Sequence, residues 1–236
     1  MGKIHVFGSI ICDLVGTGSA LPGPDETILG QSFAQYPGGK GANQAVAAQR
    51  AGADVILYGA IGQDPMGQFM KAALSATGLD LSHLQIADAA TGCALVMVGE
   101  RTNQIMVIPG ANHLYRWQQM PSFGPNDVLL AQGECLPDDT LRFLQAGKSA
   151  GALTLLNAAP ASKPFTEAAQ LVDILVLNEI EAAYFAHSEL NDIPSKQELS
   201  SLSSKLGRTT DQHLIVTLGD AGAVSLIGQT YTQHQD

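Results

Sequence analysis

The sequence predicts an α/β fold in which helices flank a parallel sheet. Short apolar runs, each bounded by Gly, Pro or Asp, alternate with stretches that suit helices, which is the rhythm of parallel strands joined by crossover helices. The composition supports a packed core. Hydrophobic residues make up 45% of the chain and charged ones 14%, with Leu, Ile, Val and Ala spread along the whole length, so a disordered chain is excluded. At 236 residues the length suits one main domain with a small appendage.

Strands are expected at Ile4 to Phe7, Val55 to Tyr58, Val128 to Ala131, Leu153 to Asn157, Ile174 to Leu177 and Leu214 to Thr217. Helices are expected between them at Ala42 to Ala51, Met66 to Thr77, Pro137 to Lys148, Pro164 to Leu171, Glu179 to Phe185 and Lys196 to Leu206. Two segments break the rhythm. Residues 14 to 35 are punctuated by Gly and Pro with little helical period, and residues 92 to 108 read as a hairpin. In the hairpin, Cys93 to Val98 and Ile105 to Ile108 flank a polar turn at Arg101-Thr102-Asn103. Together they suggest a small separate sheet. Open α/β sheets bind ligands at the carboxyl ends of their strands, so a flap of this kind suits a lid over such a site.

Several functions are excluded by composition. A formal charge of −10 with no Lys/Arg cluster repels a phosphate backbone, which argues against nucleic acid as a partner. A small anion needs only a local site of backbone N–H groups and a lysine or two. No stretch approaches the ~20 apolar residues of a membrane span, and the start moves directly into a strand-like run without a cleavage-site pattern. Cys12, Cys93 and Cys135 lack metal-ligand spacing and lie in apolar surroundings. A cytoplasmic location follows. The six histidines include no metal-spaced pair. Gly147-Lys148-Ser149 resembles the end of a phosphate loop, but Arg142 stands where that pattern needs its first Gly. Trp117 and Tyr115 read as residues that pack or lie at a surface rather than stack a base.

The most informative run is Pro37-Gly38-Gly39-Lys40-Gly41-Ala42-Asn43-Gln44-Ala45. Glycines at a helix N-terminus let the backbone approach a ligand, and the unpaired N–H groups there favour electron-rich oxygens. Lys40 adds a charged donor, and Asn43 an amide that both donates and accepts. Polyol hydroxyls need that mixture. The run also reads as an ordinary Gly-rich turn before an Ala-rich helix, and residue types alone do not separate the two. Read singly, Asp13 is equally a turn cap, Glu134 a solvated loop acid, and Asn178 to Glu181 a helix start with acids in its first turn.

The order of these motifs is more specific. Gly38-Gly39-Lys40-Gly41-Ala42-Asn43-Gln44-Ala45-Val46-Ala47-Ala48 resembles the sugar-binding signature of ribokinases. Gly8-Ser9-Ile10 leading to Asp13 is similar to the end of that family's first strand, and Gln132-Gly133-Glu134 to a later strand end. Leu156-Asn157-Ala158-Ala159-Pro160-Ala161 matches a family loop. Asn178-Glu179-Ile180-Glu181 resembles its Asn-x-x-Glu motif, and Thr217-Leu218-Gly219-Asp220-Ala221-Gly222 its nucleotide-contacting turn. The resemblance covers residues 4 to 228.

It implies a ribokinase-like fold with a β-sheet lid at about 14–35 and 92–108, and an ATP-dependent transfer of phosphoryl to a hydroxyl of a pentose such as ribose. The implied sugar contacts are Asp13, Gly38, Gly39, Lys40, Asn43 and Glu134. Asn178, Thr217, Gly219 and Gly222 are the implied nucleotide contacts, and Glu181 the magnesium-linked acid. ATP and Mg2+ are implied as cofactors, with a monovalent cation such as K+, and pairing of two subunits through the lid.

Two features depart from the family pattern. Ile11 stands where ribose-specific members carry an Asn, which removes a hydroxyl contact. The family's Gly-Ala-Gly-Asp segment, whose Asp is the catalytic base, does not occur in the 236 residues. The domain is thus expected to be an incomplete one over residues 1–236, inactive as it stands. A non-catalytic sugar- or nucleoside-binding remnant and a nucleoside kinase are the alternative readings.

Overall fold

The computed structural model describes residues 2–100, 102–161 and 165–234. Arg101 of the expected turn, Pro164 at an expected helix start, and Met1, Ser162, Lys163, Gln235 and Asp236 lie outside the described residues. The chain divides into two compact units, residues 1–7 with 117–236, and residues 8–116.

The chain begins in the first unit with β1 (Ile4–Phe7) and continues in the second. There it forms β2 (Ile11–Thr17), β3 (Ser32–Gly38), α1 (Lys40–Arg50), β4 (Val55–Gly62) and α2 (Pro65–Ser75). It goes on through β5 (Leu84–Ala87), β6 (Gly92–Val98), β7 (Asn103–Ile108) and a 3-10 turn at Gly110–Leu114. Back in the first unit come β8 (Val128–Gln132), α3 (Pro137–Ser149), β9 (Leu153–Asn157), α4 (Thr166–Leu171), β10 (Ile174–Asn178) and α5 (Glu179–Ala186). It ends with α6 (Lys196–Lys205), β11 (His213–Thr217), β12 (Ala223–Ile227) and β13 (Thr230–His234).

In the first unit the sheet runs β13-β12-β11-β10-β9-β8-β1. It is parallel from β1 to β11 and closes with an antiparallel hairpin. One face carries Leu129, Leu156, Leu175, Leu214 and Val216, all fully buried. Helix α3 packs there: a Cβ on Gly147 would stand 2.3 Å from Leu129 Cδ2. Phe7, Trp117 and Phe143 form an aromatic cluster with ring centroids 5.0–5.8 Å apart, so Trp117 is a packing residue, as its sequence context suggests. Lys148 of the set-aside phosphate-loop look-alike pairs with Asp173. The other sheet face carries Leu155, Ile174, Val176 and Ile215 in register, and these are only half-buried.

In the second unit β4 is buried along its whole length and pairs in parallel with β5, with α1 and α2 packed against it. A separate four-stranded sheet runs β3-β2-β6-β7. The expected small sheet therefore exists, and it is built from both segments that break the α/β rhythm. The first of these segments, 14–35, overlaps two extended strands at its ends, residues 11–17 and 32–38. Strands β5, β12 and β13 also lie beyond the sequence expectation. No helix among the described residues is long and apolar enough to cross a membrane.

Candidate active site

In the second unit β2 brings Asp13 into register with Tyr36 of β3 and Ala94 of β6. A Cβ on Gly38 would stand 2.3 Å from Asp13 Oδ2, so glycine alone leaves the carboxylate its place. The next residue, Gly39, has φ 92° and is the N-cap of α1. Its Cβ would fall 2.7 Å from Ser9 O and 2.8 Å from Ile11 N. Both the left-handed backbone and the close approach require glycine there. The first turn of α1 is held against the Gly8–Ile11 segment: Ala42 N donates to Ser9 O at 2.9 Å, and Gly41 N to Ser9 Oγ at 3.4 Å. No side chain caps the helix.

Lys40 is half-buried and Asn43 exposed. Asn43 lines a cavity of about 310 Å³ with Pro37, Val46, Arg50 and Thr77. The approach of Gly38 to Asp13 puts Asp13, Gly38, Gly39 and Lys40 at one corner of the second unit, where β2 and β3 meet the start of α1, while the cavity that Asn43 lines lies against Ala73 and Leu74 of α2. Beside Asp13, burial and then the Asp13 charge push the Cys12 thiol up, and burial does the same to Cys135. In both, burial disfavours the thiolate.

In the first unit the remaining candidates follow strand ends. Glu134 is half-buried just after β8. Its neighbour Gly133 has no room for a Cβ, which would meet Pro160 O at 2.7 Å, and its N–H donates to Ala159 O at 3.0 Å. The loop singled out at 156–161 therefore packs on the turn that carries Glu134. Asn178 ends β10, and its register partner is Thr217 at the end of β11. Both lie at the carboxyl edge of parallel strands, where open α/β sheets take their ligands.

Asn178 and Glu181 form a reciprocal capping box at the start of α5. Asn178 Oδ1 accepts from Glu181 N, and Glu181 Oε2 accepts from Asn178 N, each at 2.8 Å. The helix-start reading of this motif is thus part of its role. Thr217 Oγ1 donates to Leu177 O at 3.3 Å. The following turn places Gly219 at φ 52° and Gly222 at φ 86°, and among the described residues nothing lies within 4 Å of an added Cβ at Gly219. Backbone conformation favours glycine at 219, though His187 takes a similar φ of 51°; crowding does not require it.

Among the described residues no group of three or more His, Cys, Asp or Glu side chains is arranged to hold a metal ion. Magnesium bound through phosphates needs only one or two carboxylates, and a carboxylate has about four lone-pair sites. A capping bond at Glu181 therefore fits such a role. Sequence reasoning missed two polar groups that shape the second unit. One is Asp64, which caps α2 and binds Thr91; the other is Asn112, buried in the turn after β7. The run Pro109-Gly110 marks that turn in the sequence, but not what its Asn reaches.

Comparison with known proteins gives the family. The chain matches the pfkB family carbohydrate kinases over residues 1–236. It is 35% identical over 225 residues to the ribokinase of Haemophilus influenzae, covering 93% of this chain and 72% of that protein. The structure of ribokinase from Giardia lamblia superposes with a TM-score of 0.87 at 26% identity, covering 100% of this chain and 76% of that one. Arabidopsis thaliana ribokinase, complexed with ribose and ATP, gives a TM-score of 0.82 at 25% identity, covering 100% and 78%. The chain belongs to the pfkB carbohydrate kinases and, within them, to the ribokinase-like sugar kinases.

Proposed function

We propose that the protein serves ATP-dependent transfer of the γ-phosphoryl group to a hydroxyl of a pentose such as ribose. The observation that carries this reading is the Asp13 carboxylate standing where a Gly38 side chain would be, beside the glycine-led start of α1. A carboxylate there accepts from sugar hydroxyls, while Lys40 and Asn43 donate to the oxygens of the same sugar. The resemblance also gives Glu134 a sugar hydroxyl. The ribose and ATP held by the Arabidopsis relative support both ligand classes. Ile11, buried and paired with Gly38 and Gly92, offers no hydroxyl contact, so related sugars stay in the panel beside ribose.

Asn178, Thr217, Gly219 and Gly222 are proposed as nucleotide contacts on the carboxyl edge of β10 and β11. Glu181 would hold magnesium, which when bound neutralises phosphate charge; a monovalent cation such as K+ completes the set that the resemblance implies. The proton from the sugar hydroxyl needs a carboxylate base, and the family's Gly-Ala-Gly-Asp is not spelled within the 236 residues. These residues by themselves are proposed to bind sugar without turning it over.

The four-stranded sheet is proposed as the lid. Its Asp13 face carries Val15, Val96, Ile105 and Val107, and its opposite face Leu14, Phe33, Leu95, Met97 and Met106. Many of these are exposed, Met106 at 63% and Phe33 at 66%. Apolar patches on both faces suit two covers, a sugar on one and a second copy of the chain on the other. Leu95→Glu is expected to leave a monomer by light scattering; an unchanged dimer, or a monomeric wild type, sinks the pairing.

Calorimetric titration with D-ribose, D-fructose and adenosine tests the sugar reading. Ribose or a related sugar is expected to bind, and Asp13→Ala or Asn43→Ala to weaken it by about 1–3 kcal/mol. Affinity unchanged in both variants removes these residues from the site, and adenosine binding alone would make the protein a nucleoside kinase relative.

A further inference from the structure

We propose that Asn112 is a positioning residue for the sugar strand. The inference rests on the sugar-binding reading of Asp13. Asn112 lies in the 3-10 turn that follows β7 and is 2% exposed. Its side chain grips the backbone of Ile10 from both sides. Ile10 N donates to Asn112 Oδ1 at 2.8 Å, and Asn112 Nδ2 donates to Ile10 O at 2.9 Å and to Pro109 O at 2.9 Å.

The location gives this grip its meaning. The register of β2 with both neighbours begins at Ile11, opposite Gly38 of β3 and Gly92 of β6. Ile10 is thus the first residue below the ladder, and the side-chain amide of Asn112 supplies the donor and acceptor that a further strand pair would give. Asp13 follows three residues later on the same strand.

The seat is built for this side chain. Gly92 has no room for a Cβ, which would stand 2.4 Å from Asn112 Nδ2 and 2.6 Å from Pro109 O. Gly110 has φ 51°, and its Cβ would stand 2.4 Å from Ala90 O. Ala111 N donates to the same Ala90 O at 2.8 Å. One amide therefore ties the end of β7 and the base of β6 to the root of the strand that carries Asp13. A buried amide with all its bonds satisfied holds one backbone geometry, and a half-satisfied one does not.

Asn112→Asp is the closest probe in shape, since it keeps the acceptor for Ile10 N and replaces the donor facing Ile10 O and Pro109 O with an oxygen. D-ribose affinity is expected to fall about tenfold or more, the effect of roughly one lost hydrogen bond, with unfolding still cooperative. Amide hydrogen exchange at Ile11, Asp13 and Leu14 is expected to quicken. Combined with Asp13→Ala, the loss should be no larger than Asp13→Ala alone produces, because a positioning residue acts through the group it positions. Asn112→Ser repeats the test should the Asp variant not fold.

Wild-type ribose affinity in either folded variant overturns the inference, as do losses that add to that of Asp13→Ala. Loss of cooperative unfolding in both variants makes Asn112 a residue of the fold alone, and also overturns it. If the wild type binds none of the sugars, the sugar reading falls, and the exchange arm decides separately: faster exchange confined to the root of β2 supports the placing role, and unchanged exchange sinks it.

Discussion

At the scale of single residues, the arguments concern glycines and the groups that occupy their missing side chains. Gly38 bears most directly on the site, since an alanine there would drive its Cβ to 2.3 Å from the Asp13 carboxylate. The carboxylate must then rotate away, so Gly38→Ala is expected to weaken sugar binding by about 1–3 kcal/mol, as loss of Asp13 does. Gly16, on the same strand as Asp13, is the control: nothing among the described residues lies within 4 Å of its added Cβ, and Gly16→Ala should leave affinity unchanged. Calorimetry on the two variants compares crowding with mere replacement; equal affinities would mean that Asp13 is not held where the structure shows it. The sequence run Gly38 to Asn43 pointed to this corner because close backbone approach at a helix start needs glycine wherever it occurs. Asn112 was illegible for the opposite reason. Its partner Ile10 lies 102 residues away, and no local pattern marks a side chain that completes a distant ladder.

At the scale of elements, the α/β rhythm was legible wherever an apolar run met a buried strand, as at β4, β8, β10 and β11. Strands β2 and β3 were not: β2, though central, is only half-buried from Asp13 to Thr17, and β3 is an edge strand exposed along most of its length. An edge tolerates Pro37, which a central strand would exclude, and exposure removes the apolar signal. Helix α1 starts at Lys40 and α2 at Pro65, slightly before the expected bounds, since periodicity does not mark a cap: Gly39 caps α1 through backbone conformation alone, and Asp64 caps α2 with its side chain. Asp64 shows what such a cap does. Its Oδ1 accepts from Gly67 N and Thr91 Oγ, and its Oδ2 from Thr91 N, each at 2.7 Å, which joins α2 to the base of β6. Burial works to raise this carboxyl, but the hydrogen bonds from Thr91 and Gly67 outweigh it and hold its pKa below the ordinary range. A depressed folded pKa means that the stabilisation is complete above the unfolded value of ~3.9 and is lost as pH falls through the folded one. Asp64→Ala should therefore cost about 1–2 kcal/mol near pH 7, with a gap to wild type that closes in acid. Urea unfolding at several pH values measures it, and a gap that widens below pH ~4 would contradict the assignment.

At the scale of the whole molecule, the expectation that these 236 residues lack turnover meets an independent feature of the sheet. Phosphoryl transfer requires a base and donors aimed at the moving charge, contributions of ~10²–10⁴-fold and of comparable size or more. The resemblance places both in a Gly-Ala-Gly-Asp helix start that the 236 residues do not spell. Asp220 is no substitute, since it lies exposed in the turn between Leu218 and Gly222, and Asp236 falls outside the described residues. The sheet of the first unit has one face sealed and one half-open, where Leu155, Ile174, Val176 and Ile215 line up between the more exposed Leu153 and Ile227. Parallel sheets are normally covered on both faces, and an open aliphatic row attracts apolar partners. The 236-residue polypeptide is therefore expected to release ADP at background level with every sugar tried, and to bind an apolar dye such as anilinonaphthalene sulfonate while tending to associate. A longer polypeptide that adds a family segment with Gly-Ala-Gly-Asp and its helices should reverse both properties together, restoring ADP release and losing the dye signal. If activity returned while dye binding persisted, the base and the sheet cover would be separate matters. Robust turnover by the purified 236 residues, with contaminating kinase excluded, would defeat the account of the base altogether.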